Sequence, residues 1–132
     1  MDYKLEVVVV PVSDVDRAKA FYSEQCGFVV DVDTQVGEAF RVVQLTPPGS
    51  ACSVTIGPAI LAEPGSGTMP GLQLTVPDID AARAEFAERG VDISPVRHME
   101  NGEWQEGRGN GPYESFAFFK DPDGNDWAIQ EK

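Results

Sequence analysis

Residues 7–28, VVVVPVSDVDRAKAFYSEQCGF, return in altered form at residues 71–92, GLQLTVPDIDAARAEFAERGVD. At a separation of 64, Val12 meets Val76, Asp14 meets Asp78, Asp16 meets Asp80, Ala18 meets Ala82, Ala20 meets Ala84 and Glu24 meets Glu88. Val15 falls on Ile79 and Tyr22 on Phe86, so the apolar positions agree in kind. The glycines after each helix, Gly27 and Gly90, are out of step by one residue. A second match, at a separation of 75, sets Pro47-Pro48-Gly49 against Pro122-Asp123-Gly124. A repeat of this length marks a duplicated supersecondary unit.

Both copies read the same way. An apolar strand runs to a capping side chain, Ser13 or Asp14 in the first copy and Asp78 in the second. A helix comes next, with Val15, Ala18 and Tyr22, or Ile79, Ala82 and Phe86, at helical spacing. Glycine then stops it. Three further strands are expected per copy, roughly over 28–34, 38–46 and 51–57, then 91–96, 113–120 and 125–131. In KDPDGNDWAIQE, residues 120–131, turn residues lead into strand alternation of Trp127 and Ile129 with Ala128 and Gln130. The order is βαβββ twice, an α+β class with helices covering one side of curved, mostly antiparallel sheets. The expected layout is a single domain over 1–132, with module one at about 1–60, a Gly- and Pro-rich linker at about 58–70 and module two at about 70–132. Residues 97–113, RHMENGEWQEGRGNGPY, read as a long glycine-rich loop, the kind that serves as a lid or binding element.

Composition narrows the partners. Twenty-two acidic residues stand against ten basic ones, a net charge of −12, which argues against nucleic acid or an anionic membrane. Cys26 and Cys52 lie apart with no CxxC spacing, so reduced thiols are expected. The start, MDYKLEVVVV, has no secretory pattern and no apolar run reaches membrane-spanning length, so the expected location is cytoplasmic.

The two helix-bearing stretches, the FKDPDGNDWAIQE segment and the paired βαβββ pattern together resemble the vicinal oxygen chelate superfamily, which includes glyoxalase I, bleomycin-resistance proteins and extradiol dioxygenases. The resemblance implies that each unit curls into half of an open barrel around a cup-shaped cavity. In metal-using members a divalent ion sits in the cup, on His and Glu ligands from the first and fourth strand of each unit. Those positions fall on Val7, Ser53, Gly71 and Ala128 here, none of which suits a divalent metal. A shift of two residues keeps the same strand face and offers Val9, Thr55, Gln73 and Gln130. These include two amides but no carboxylate or imidazole, a set suited to hydrogen bonding. No cofactor is therefore expected.

The remaining candidates weigh a functional role against a bland one. Gln73 and Gln130 could orient a ligand inside the cup, or bond each other or buried backbone. His98 is the only histidine. It could act in proton transfer or touch substrate, or simply be a solvated loop residue. Phe116 and Phe118 share a strand face and are expected to pack in the core. Trp104, in a polar context, could cover a ligand or anchor a second subunit, and Tyr113 belongs to the same aromatic cluster. Glu114 is the best-placed carboxylate for acid or base work.

Three readings are open, in order of preference. The first is a metal-free protein that binds a small organic molecule, with Gln73, Gln130, Trp104, Tyr113 and His98 as contacts. The second is a metal-free enzyme of isomerase, lyase or cyclase type using His98 or Glu114. The third is a metal-dependent glyoxalase or dioxygenase. The sequence leaves turnover undecided, and it leaves open whether one chain or two complete the cup. A homodimer is expected, as superfamily members often form one.

Overall fold

The computed structural model describes residues 1–37, 40–57 and 68–132. The chain divides into two compact units, Met1–Met69 and Pro70–Lys132. Most of the expected linker, residues 58–67, lies outside the described residues.

In unit 1 the strand β1 (Val7–Val10) leads to the helix α1 (Val15–Ala20), and then come β2 (Val29–Val36), β3 (Phe40–Thr46) and β4 (Ser53–Ile56). The sheet order is β1-β4-β3-β2, with β1 parallel to β4 and the other pairs antiparallel. The Asp14 side chain caps α1 by accepting from the Arg17 backbone N–H at 3.1 Å. One face of the sheet, with Val43 opposite Ile56 and Leu45 opposite Val54, is fully or nearly fully buried. Ala18 and Tyr22, on the helix and the turn after it, are buried as well, and Tyr22 stacks on Phe28.

The one-residue offset between Gly27 and Gly90 has a structural cause. After α1 the chain widens into a π-helical turn, Phe21–Gln25. There the Phe28 N–H reaches the Tyr22 carbonyl at 2.9 Å, whereas in unit 2 the Val91 N–H reaches the Phe86 carbonyl at 3.0 Å. Tyr22 and Phe86 are repeat partners, so the π turn takes up one inserted residue and leaves the chain beyond it in step. Gly27 and Gly90 then leave the helix at φ 76° and 91°, a conformation that favours glycine.

Unit 2 holds β5 (Leu72–Val76), α2 (Ile79–Glu88), β6 (Arg97–Glu100), β7 (Glu103–Glu106), β8 (Phe116–Lys120) and β9 (Asp126–Glu131). The order is β5-β9-β8-β6-β7, with β5 parallel to β9. The Asp78 side chain caps α2 by accepting from the Ala81 N–H at 3.0 Å. The class is thus α+β, with sheets of four and five strands and two α-helices among the described residues.

Two expectations for unit 2 are corrected. Residues 91–96 do not form a strand. Pro95 cannot donate to a ladder, and this stretch instead buries Val91 and Ile93 while its Ser94 bonds to Phe118 through backbone and side chain. The glycine-rich segment is not one long loop either. Its first ten residues form the β6–β7 hairpin, turning at Asn101 (φ 53°) and Gly102 (φ 81°). Two successive positive φ angles at Asn-Gly are what a tight hairpin turn demands. Glu114, expected to begin a strand, lies in the remaining loop, because β8 starts only at Phe116.

The turn between β8 and β9 rests on one buried carboxylate. Asp121 Oδ1 accepts from the backbone N–H groups of Asp123 (2.9 Å) and Asn125 (2.8 Å), and Oδ2 accepts from Asn125 Nδ2 at 2.7 Å. Both Asp121 and Asn125 are buried. Asp121→Ala would remove the acceptor shared by the buried Asn125 backbone and side-chain N–H groups and the part-buried Asp123 N–H. We expect it to lower the free energy of unfolding in urea by about 2–3 kcal/mol. A variant within about 0.5 kcal/mol of the parent would contradict this account.

Candidate functional site

One face of the unit 2 sheet gathers aromatic and amide side chains. Phe116 and Phe118 on β8 lie opposite Gln130 and Ala128 on β9, and Ala128 lies opposite Gln73 on β5. Cross-strand partners share a face, so this surface is continuous across three strands. The two phenylalanine rings are parallel, with centroids 6.1 Å apart. Trp104, from β7, meets both edge-on, at 5.3 Å from Phe116 and 5.0 Å from Phe118. It still leaves 45% of its surface exposed. A large ring that is half packed and half open offers a stacking surface whose orientation is already fixed.

The amides form a chain beside this platform. Gln73 Nε2 donates to Gln130 Oε1, and Gln130 Nε2 donates to the Tyr113 carbonyl at 2.9 Å. Tyr113 sits at a positive φ of 64°. Its backbone is pinned on both sides, since its own N–H donates to the Glu131 carbonyl at 2.8 Å. The glutamines therefore bond each other and the backbone, and the pair is held in one orientation.

A cleft of about 530 Å³ opens among residues of the hairpin, the loop after it and the start of β8, lined by His98, Met99, Arg108, Tyr113, Glu114 and Phe116 among others. It exists because β6 pairs with β8 only at Arg97–Phe116. Beyond that point the loop carrying residues 107–115 takes the place of a neighbouring strand. The loop is tied down at three places. Glu114 Oε2 accepts from the N–H groups of Asn110 (2.9 Å) and Gly111 (2.7 Å). The Gly109 N–H donates to Ser115 Oγ at 3.0 Å, and a Cβ at Gly109 would lie 2.5 Å from the Glu114 Cβ, so only glycine fits there. Arg108 pairs with Asp80 at 2.7 Å and with Glu131, whose other oxygen accepts the Ile79 N–H at the start of α2. That backbone hydrogen bond, then the Arg108 guanidinium, holds the Glu131 carboxyl below its ordinary range.

His98 stands on β6, not in a loop. Its Nδ1 lies 2.9 Å from the Gly107 carbonyl and its Nε2 3.3 Å from Glu100 Oε2. Both ring nitrogens face acceptors, so the doubly protonated form satisfies both at once. The Gly107 carbonyl foremost, and then the Glu100 carboxylate, raise its pKa above the ordinary imidazole value. The structure thus brings His98, Glu114 and Tyr113 to one cleft, and Gln73, Gln130 and Trp104 to the sheet face that shares Phe116 with it.

The superfamily's metal positions can now be tested on donor chemistry. In unit 1, Val7 is the Cα partner of Ser53, the pairing expected of two positions that would converge on an ion. Valine offers no donor atom, and a serine hydroxyl is a weak ligand for a divalent ion. In unit 2, Ala128 faces Gln73 and not Gly71, which precedes β5. In unit 1 the repeat partner of Gln73, Val9, faces Thr55, so by register Ala128 stands in the place of Thr55 and the 75-residue sequence match does not carry into this strand. The residue opposite Ala128 is an amide that is already bonded. Among the described residues no three His, Cys, Asp or Glu side chains cluster as metal ligands would. These residues do not fit the metal that the resemblance implies. Among the described residues no helix is long and apolar enough to cross a membrane.

Comparison with known proteins agrees with this architecture. The family model of the Glyoxalase/Bleomycin resistance protein/Dioxygenase superfamily matches residues 4–129. The solved structure of TnmS3, described as an antibiotic binding protein from Streptomyces sp. CB03234, is 32% identical, with a TM-score of 0.75 over 98% of this chain and 96% of that one. A glyoxalase/bleomycin resistance protein from the same Streptomyces is 33% identical, with a TM-score of 0.72 over 96% of this chain and 99% of that one. The Bacillus subtilis (strain 168) protein YetH is 24% identical over 97% of this chain and 98% of its own length.

The contacts of His98 carry a pH dependence. A folded-state pKa raised above the unfolded value of about 6.5 gives stabilisation that is complete below that pH and is lost as pH rises through the folded pKa. An NMR titration of the single imidazole should place its pKa above the ordinary value. Glu100→Gln should lower it only in part, because the Gly107 carbonyl remains. Hydrogen-exchange protection of the β6–β7 hairpin should fall as pH rises through the same transition. An imidazole titrating below about 6.5 would contradict these contacts.

Proposed function

The chain belongs to the Glyoxalase/Bleomycin resistance protein/Dioxygenase superfamily, and on that footing we propose that it binds a small organic molecule on unit 2 without a metal. The observation that carries this is the half-open Trp104 ring, fixed edge-on against the stacked Phe116 and Phe118 beside the cleft that Phe116 also lines. A flat apolar body would lie on the aromatic platform, and polar substituents would reach the amide pair Gln73 and Gln130, the Tyr113 hydroxyl or the His98 edge. The likeness to an antibiotic binding protein supports a ligand of antibiotic type. A net charge of −12 adds a long-range preference for cationic over anionic compounds.

A second reading is favoured by one observation, that His98 and Glu114 line the same cleft. A metal-free isomerase, lyase or cyclase would use a protonated His98 as proton donor and Glu114 as acceptor. The two readings part on turnover. Glu114→Gln would abolish product formation in the enzyme and leave simple binding largely unchanged. A metal-dependent glyoxalase or dioxygenase has less support, since Val7, Ser53, Gln73 and Ala128 supply no carboxylate or imidazole.

The test is a titration of purified protein against a panel of planar aromatic antibiotics, read by tryptophan fluorescence and thermal shift. We expect at least one binder whose affinity survives chelation by EDTA. Trp104→Ala should weaken it by about 1–3 kcal/mol with little change in unfolding midpoint. Affinity intact in Trp104→Ala, combined with a shift to monomer, would move the ring to a subunit interface and overturn the binding role given to it.

Assembly is part of the same proposal. At the ends of the two sheets, β2 and β7 each pair with one strand only among the described residues, and open edges invite pairing. Sedimentation at micromolar concentration should show a species near twice the 14.3 kDa chain mass, and a purely monomeric boundary would reject the homodimer.

A further inference from the structure

Unit 1 carries a polar chain that the proposed function does not use. Ser53, Thr46 and Asp31 come from β4, β3 and β2. Thr46 Oγ1 donates to Asp31 Oδ2, and the Thr46 and Ser53 hydroxyl oxygens lie 2.6 Å apart. Asp31 is brought there by a β-bulge: Val30 pairs with Leu45 and Val32 with Gln44, so Asp31 is the extra residue. Bulges re-aim a side chain in this way at the cost of one ladder position.

The direction of the chain is fixed by elementary chemistry. A carboxylate can only accept, so Thr46 must donate to Asp31. Thr46 has one proton, so the bond between the hydroxyls must be donated by Ser53. Both hydroxyl protons are therefore committed toward Asp31. Among the described residues Ser53 Oγ has no other side-chain partner, and what it presents outward is lone pairs alone. Successive donation toward a negative charge polarises each hydroxyl, which makes the Ser53 oxygen a stronger acceptor than an isolated alcohol.

The surroundings say what kind of molecule this would suit. By strand register Val7 and Ser53 share a face, as do Val9 and Thr55, and Val29 lies opposite Thr46 and Val32 opposite Gln44. Val29 and Val32 are 55% and 39% exposed, whereas Ser53 is 9% exposed. An apolar body against the valines would carry its polar group to the serine. We propose that Ser53, Thr46 and Asp31 form an acceptor-only subsite for a hydroxyl or ammonium donor carried on an apolar scaffold. It takes a phenol in preference to the corresponding ether. The neutral hydroxyl is the better fit of the two donors, because a group reaching a nearly buried oxygen must shed water, and that costs less for a hydroxyl than for an ammonium.

The test uses three probes of one shape, 4-fluorophenol, 4-fluoroanisole and 4-fluorobenzylamine, monitored by fluorine NMR and by the backbone amide signals of the protein. In the parent protein the phenol should shift the Ser53 and Thr55 amides, and the ether should bind about tenfold more weakly, the loss of one charge-assisted hydrogen bond. Ser53→Ala should remove that preference. Thr46→Val, nearly the same shape, should also remove it, because Ser53 regains a proton to donate and the ether becomes acceptable. An amide spectrum that keeps its dispersion shows that each variant is folded, and Asp31→Asn, an exposed change, gives a third route to the same loss of preference. Equal binding of phenol and ether by the parent overturns the proposal. So does a preference that survives both Ser53→Ala and Thr46→Val, or no response of Ser53 and Thr55 to the phenol at about 20 mM, a range in which even a weak site shows. A preference for the amine that ignores Ser53→Ala assigns the subsite to Asp31 alone and overturns it too.

Discussion

In each unit the first and last strands run parallel and adjacent, β1 beside β4 and β5 beside β9, and the register of that pair decides which side chains stand together. Period-two alternation leaves two faces. One face packs its aliphatic side chains against helix, and the other holds what can meet a ligand. In unit 1 the register sets Val7 beside Ser53 and Val9 beside Thr55. In unit 2 it sets Gln73 beside Ala128 and Thr75 beside Gln130. A slip of one residue would exchange the faces entirely. A slip of two would keep the faces and change only which side chains meet.

Further along the unit 2 sheet, the same ladder places Phe118 opposite Ala128 and Phe116 opposite Gln130. The small Ala128 and the two flat rings keep this face open and shallow, and Trp104 reaches it because β7 folds back along β6. The hairpin is therefore not decoration on the core sheet. It delivers the largest aromatic side chain of the platform, and its partial detachment from β8 makes the cleft. Arg108 then anchors the loop below it to the start of α2 through Asp80 and Glu131. The carboxylate of Glu131 thus serves helix and loop at once.

Local chemistry made much of this legible. Asp14 and Asp78 read as caps and act as caps, because a short acceptor before an apolar helical run has few other uses. The DPDGN turn and the strand after it were visible for similar reasons. The repeat even contained the π turn, as the single-residue offset between Gly27 and Gly90. The hairpin at 97–106 was missed although Asn101-Gly102 announces a tight turn. The glycines at 107, 109 and 111 made the whole stretch look irregular, and the flanking RHME and EWQE carry little apolar alternation. Residues 91–96 looked like a strand because Val91 and Ile93 are apolar, but burial without a ladder gives the same signal. Two features had no local signature at all. The register of β5 against β9 is set by pairing between distant segments, and the bulge at Asp31 shows only against the register of β3.

The duplicated scaffold ends in two different kinds of polar chain. In unit 2, Gln73 donates to Gln130, which donates to the Tyr113 carbonyl. In unit 1, Ser53 donates to Thr46, which donates to Asp31. Each chain starts on one strand of its unit's parallel pair and ends at an acceptor that cannot donate, and that terminal group fixes the direction. The difference lies in what remains at the other end. An amide nitrogen has two hydrogens, so Gln73 keeps one donor along with its own carbonyl oxygen and can meet either kind of ligand group. A hydroxyl has one, so Ser53 is left as an acceptor. A chain of hydroxyls therefore ends in a more selective polar edge than a chain of amides. The selectivity comes from proton count, and the bulge that places Asp31 supplies the charge that directs the protons.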